Sequence, residues 1–218
     1  DVFTEADQVT DLATAFTVTD AGTFEQITAV DSAGNLTVSD TTDNTNATLT
    51  VDKNALTEAG GTITYTVTLD TAVPDGDSVT TTFVDVNGVT QTVTIAAGAT
   101  TNTVVVTVAD SDDVFTEADQ VTDLATAFTV SVPGTSFEQI TAVNSAGELT
   151  VTDTTDNTNA TLTVDKNTLT EDGGTITYTV TLDTAVPVGG DSVTTTFVDV
   201  NGDEQTVTIA AGATTNTV

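Results

Sequence analysis

"GTITYTVTLD", residues 61–70, alternates without a break. Ile63, Tyr65, Val67 and Leu69 fall on one side, and Thr62, Thr64, Thr66 and Thr68 on the other. A period of two with β-branched residues predicts a strand with one dry and one wet face. Shorter stretches of the same kind predict strands at 47–52, 79–86, 89–95, 101–109, 126–131 and 149–152. Asn87-Gly88 and Asn201-Gly202 read as type I′ hairpin turns, and Gly98 and Gly147 mark further turns. Seven short strands separated by frequent turns predict an all-β fold, an antiparallel sandwich of immunoglobulin type. "FTEADQVTDLATA" (115–127) is the sole candidate for a short helical turn.

The same ten letters return at 174–183, as part of a long repeat. "DVFTEADQVTDLATAF" occupies both 1–16 and 113–128, and "NATLTVDKN" both 46–54 and 159–167. The period is about 113 residues, with one-residue slips near 131–136 and at Gly189-Gly190. This is the length of a domain, far beyond a solenoid repeat. "SDTTDNT" (39–45) and "TDTTDNT" (152–158) read as linkers. The expected modules are therefore 44–156 as one complete sandwich, 1–43 as the last two strands of a preceding one, and 157–218 as the first four strands and the start of the fifth of a following one. Open strand edges on both partial modules predict head-to-tail self-association, the tail of one molecule completing the head of another.

Composition narrows the function. The 218 residues carry 33 Asp and Glu against 2 Lys and Arg, a net charge of −31. Nothing here neutralises phosphates, so nucleic acid is excluded as a partner, and anionic lipid is disfavoured. No apolar run reaches membrane-spanning length, so no membrane insertion is expected of this segment. There is no Cys and no His, which removes disulfides, thiolate metal sites and the usual general base. There is no Trp and few other aromatics to line a sugar cleft, so an enzyme is not expected.

The acids are not scattered. In an up-and-down traverse of seven strands, the loops after the first, third and fifth strands and the exit linker share one pole. That places Asp52 and Glu58, then Asp110, Asp112, Asp113, Glu117 and Asp119, then Asp153 and Asp156, towards the next module. The entry loops of that module add Asp191. The corresponding set at the preceding junction is Glu5, Asp7, Asp40, Asp43 and Asp77, and Asp165 and Glu171 repeat Asp52 and Glu58. Oxygen ligands on loops, with few cations near, match the preference of Ca²⁺ for roughly six to eight hard oxygens. The spacing from Asp110 is not that of an EF-hand: the sixth position is not glycine and the twelfth is Val121. The site must be assembled from loops distant in sequence. A run of acids is also what a merely solvated face shows, so a halophilic wall protein without specific metal sites stays open.

"LTEAGGTITYTVTLDTAVP", "VTIAAGATTNTVVVTVADSDDVF", "GTFEQITAV" and "LTVSDTTDNT" together resemble the extender repeats of giant RTX adhesins of Gram-negative bacteria. More loosely, Glu58-Ala59-Gly60-Gly61 and Asp112-Asp113 with Glu117 resemble elements of Calx-β domains. The resemblance implies a secreted, outer-membrane-tethered protein of the bacterial cell surface. It further implies arrays stiffened by Ca²⁺ between neighbouring modules, which hold a ligand-binding region away from the cell, often in biofilms. The chain contains no Gly-Gly-x-Gly-x-Asp nonapeptide. A carbohydrate- or protein-binding surface module is the alternative.

Overall fold

The computed structural model describes residues 2–20, 22–131 and 137–218. Most of the first of the two sequence slips, near 131–136, thus lies outside the described residues. Among those described there is no helix, and the fold is all-β. The chain divides into two compact units. The first is built from 1–56, 60–110 and 120–152; the second from 57–59, 111–119 and 153–218.

The first unit holds β1 (Gln8–Asp11), β2 (Asn35–Val38), β3 (Asn44–Val51), β4 (Ala55–Thr57), β5 (Gly61–Leu69), β6 (Ser78–Asp85), β7 (Thr90–Ala96), β8 (Thr101–Val108), β9 (Gln120–Asp123), β10 (Ala125–Ser131), β11 (Gln139–Asn144) and β12 (Glu148–Thr152). Its sheets run β11-β3-β5-β8, β10-β6-β7 and β4-β12-β9, with β1-β2 as a separate pair. The alternation that predicted β5 is realised: Ile63, Tyr65, Val67 and Leu69 are all buried. They join Ala47 and Leu49 of β3 and Val79, Phe83, Val93 and Ile95 of β6 and β7 in one core. Each such side chain removed from water stabilises the fold by roughly 1.5–3 kcal/mol. The Tyr65 and Phe83 rings lie 4.9 Å apart in a tilted pair, and the Tyr65 hydroxyl donates to the Leu124 carbonyl at 2.7 Å.

Three sequence expectations need correction. The helical candidate 115–127 is not helical: β9 and the start of β10 occupy its second half. Val121 pairs with Thr150 of β12 and Ala125 with Asp85 of β6, so strand partners prevail over weak helix propensity. Second, the sandwich is not antiparallel throughout, because β11 runs parallel to β3 from Gln139↔Asn44 to Asn144↔Leu49. Third, the Asn87-Gly88 hairpin is not a type I′ turn. Asn87 does not have positive φ, Gly88 does (77°), and the Gly88 amide donates to the Asp85 carbonyl at 2.9 Å. This is a type I turn followed by a left-handed glycine. The Asp85 carboxylate selects it by accepting the Asn87 and Val89 amides at 2.9 and 3.0 Å. Asp199 does the same for Asn201 and Asp203.

The second unit contains β13 (Ala160–Val164), β14 (Tyr178–Leu182), β15 (Val193–Val198), β16 (Glu204–Ile209) and β17 (Thr215–Thr217). They form sheets β13-β14-β17 and β15-β16. Its core is smaller: Val180, Leu182, Val186, Val207 and Ile209.

Candidate metal-binding clusters

Two groups of carboxylates are drawn together, one in each unit. In the second unit, Glu58 stands in the loop that follows β4. Its backbone carbonyl accepts the Ser111 amide at 2.8 Å, which ties that loop to the acidic stretch 111–119. The Glu117 amide donates to Asp153 Oδ2 at 3.2 Å and so joins that stretch to the segment after β12. The Thr154 hydroxyl bridges two further acids, donating to Asp112 and, at 3.2 Å, to Asp156. Asp113 caps its own turn by accepting the Phe115 amide at 2.7 Å.

Glu58 is the anomaly of this group. It is 6% exposed, and its Oε2 has no hydrogen-bond partner. Asp153 Oδ1 is likewise buried and unpartnered. A buried carboxylate oxygen without a donor is costly, because its lost hydration is not replaced. Burial pushes the Glu58 carboxyl above the usual carboxylate range, and the charges of Asp153 and Glu117 push it the same way.

In the first unit the Glu5 amide donates to Asp40 Oδ2 at 2.9 Å. Glu5 and Asp40 line one cleft of about 190 Å³. The Asp43 amide donates to Glu138 Oε2. Glu138 Oε1 and Asp77 Oδ2 are buried without partners. The Glu5 amide, as the principal cause, holds the Asp40 carboxyl below its ordinary range.

The two groups share a frame. By the repeat, Glu5, Asp40 and Asp43 correspond to Glu117, Asp153 and Asp156. The Glu-amide-to-Asp-carboxylate bond recurs in both.

Other predicted site residues stand elsewhere. Asp52 accepts the Thr64 amide at 2.8 Å and Asp165 accepts the Thr177 amide at 2.8 Å, so each continues the pairing just past the end of the strand it follows, β3 or β13. Those amides, as the principal cause, lower both carboxyls below their ordinary range. Asp7, Asp110, Asp119, Glu171 and Asp191 are exposed. Glu138 was not among the sequence candidates. The signal was present, since Glu25 and Glu138 recur in "FEQITAV", but a lone acid with no other acid beside it in the sequence does not mark a cluster.

Hard oxygen donors with buried, unpartnered members suit a divalent cation such as Ca²⁺. Among the described residues, no three acidic side chains are already gathered in a metal-holding geometry. The donor chemistry fits such an ion.

A family model described as the LapA domain matches residues 43–154. A search of the curated proteins finds no match. The LapA domain supports an adhesin-related role, at the cell surface or secreted.

Proposed function

The chain belongs to the LapA-domain family, whose model spans just over half of it, and from that premise we propose that it is a non-catalytic extender of a secreted, outer-membrane-tethered RTX-type surface adhesin. Ca²⁺ at the junctions between consecutive repeats makes the array stiff. The observation that carries this reading is Glu58: a carboxylate nine-tenths buried, with an unpartnered oxygen, facing Asp153 and Glu117.

The residues that would hold the ion are Glu58, Glu117 and Asp153, with Asp112 and Asp156 tethered through Thr154. In the sister set they are Glu5, Asp40, Asp43, Glu138 and Asp77. When bound, Ca²⁺ supplies charge neutralisation and a flexible oxygen-coordinating centre. Glu58 and Glu138 are the distinct contributions of the two clusters to the shared frame. A junction inside a longer array would contain both: one glutamate from the repeat before and one from the repeat after. The backbone amides of Glu117 and Glu5 hold Asp153 and Asp40 in place. Repulsion between Glu58, Asp153 and Glu117 loosens the metal-free loops.

A site kept at about 100 times its dissociation constant gains about 2.7 kcal/mol of stability. Melting and small-angle scattering in calcium and in EGTA test the proposal. It predicts a higher Tm and a longer, narrower distance distribution with calcium. Equal curves in the two buffers refute it, as does an equal response to sodium chloride of matched ionic strength.

A further inference from the structure

The chain enters the complete copy on β3, at Asn44, and leaves it along β11 and then β12, at Thr152. The entering and leaving stretches are parallel neighbours. Six residue pairs run in one register, from Gln139↔Asn44 to Asn144↔Leu49. The pairing continues beyond both ends of β11. Before it, the Asp43 amide donates to Glu138 Oε2. After it, the Ser145 amide donates to the Leu49 carbonyl at 2.9 Å, and the Thr150 amide to the Asn54 carbonyl at 3.0 Å. Residues 43–54 and 138–150 therefore lie side by side and run the same way.

Side chains reinforce the same seam. The Thr141 hydroxyl donates to Asn44 Oδ1 at 2.7 Å. Asn44 Nδ2 donates to Asn46 Oδ1 at 3.1 Å, and Asn46 Nδ2 to Asp70 Oδ2 at 2.8 Å, just past the end of β5. The first residues of β3 are thus held from both flanks, since β3 lies between β11 and β5. β11 is the outer strand of that sheet. Its far end is tied to the other sheet by Asn144 Nδ2, which donates to the Ala125 carbonyl of β10 at 2.8 Å.

The direction of this pairing decides what tension does to it. A pull along the chain draws β3 by its first residue and β11 by its last, in opposite senses. Parallel strands loaded in this way must slide past each other, so every rung bears at once. An antiparallel pair pulled from one shared end opens rung by rung instead. We propose that the β3–β11 seam is the force-bearing clamp of the repeat, a parallel ladder loaded in shear that keeps the copy folded under tension without an ion. The need for such a clamp rests on the extender function; its geometry does not depend on calcium.

The chain has no cysteine, so introduced cysteines give unique handles for single-molecule pulling. The whole chain is pulled in EGTA in two directions. Handles on Thr42→Cys and Thr155→Cys load the seam in shear. Handles on Thr42→Cys and Gln139→Cys, both at the start of the ladder, peel it pair by pair. All three positions are exposed. At one loading rate the shear direction should need the higher force. Its rupture should release the copy's about 110 residues in a single step, at roughly 3.3–3.6 Å each. Thr141→Val removes the hydroxyl rung and keeps a β-branched strand residue. It should unfold roughly fivefold faster under shear load. Thr82→Val removes a comparable 2.9 Å hydroxyl contact, to Thr129 of β10, outside the seam. It should leave the shear unfolding rate unchanged. Equal forces in the two directions overturn the proposal, as does a Thr141→Val rate no higher than that of Thr82→Val. Repeating the pulls in calcium separates the clamp from the metal site. An excess of shear force over peeling force in EGTA supports the clamp even where calcium adds nothing, and an excess seen only with calcium overturns it.

Discussion

Tyr65→Phe removes a single oxygen from the centre of the first unit. The ring is fully buried and stays paired with Phe83, so packing is nearly unchanged. What goes is the 2.7 Å hydrogen bond to the Leu124 carbonyl, together with a weak acceptor for the Val86 amide at 3.4 Å. A typical net hydrogen bond contributes about 1 kcal/mol, and leaving a buried acceptor unpaired adds roughly 1 more, for a total of about 2 kcal/mol. The matched domain is about 110 residues long. At about 2.1 cal/mol/K of unfolding entropy per residue, its Tm should fall by roughly 9 °C. Tyr178→Phe is the internal control, since among the described residues its hydroxyl has no carbonyl acceptor to lose. In dilute protein it should shift its own unit's transition by less than about 2 °C. Thermal unfolding followed by far-ultraviolet circular dichroism at low concentration reads both. A Tyr65→Phe variant that melts with the parent would refute the view that this bond locks Leu124 into the core.

Glu58→Gln removes the charge facing Asp153 and Glu117. It should raise the Tm in EGTA and abolish most of the gain that calcium gives the parent, checked by paired melts in the two buffers. Gly60→Ala places a Cβ 2.6 Å from the Val108 carbonyl oxygen and 2.8 Å from Ala109, at a φ of +72°. It should cost about 2–3 kcal/mol in denaturant unfolding, whereas Gly98→Ala, with open space around it at φ +77°, should cost about 1 kcal/mol. Asp52 and Asp165 have folded-state carboxyls lowered by the Thr64 and Thr177 amides. Their contribution is present above the ordinary carboxylate value of about 3.9 and is lost as pH falls through the lower folded value. Asp52→Asn should flatten part of the drop in denaturant midpoint below about pH 4.

The strand pattern was legible because each face of a sheet is a local fact: every second residue of 62–69 shares an environment. The acid clusters were legible only as a neighbourhood. Asp52 and Glu58 sit six residues apart, and the sequence treats them alike. One accepts a strand amide; the other is buried beside Asp153 and Glu117. Glu138 shows the converse, an acid outside every predicted strand and every predicted acid cluster that turned out to hold the Asp43 amide. Which carboxylate ends up desolvated depends on what the chain packs over it, and that is not encoded in its neighbours along the chain.

By itself the sequence determined the all-β class, the period of two, the domain-length repeat and an anionic surface suited to cations. These follow from side-chain chemistry and spacing alone. Only the tertiary structure decided which copies of a segment become strands. "DLATAFTV" is extended and paired at 123–130 and uncovered at 11–18. The letters are the same. A strand closes its hydrogen bonds with a neighbour rather than with itself, so the neighbour settles the outcome.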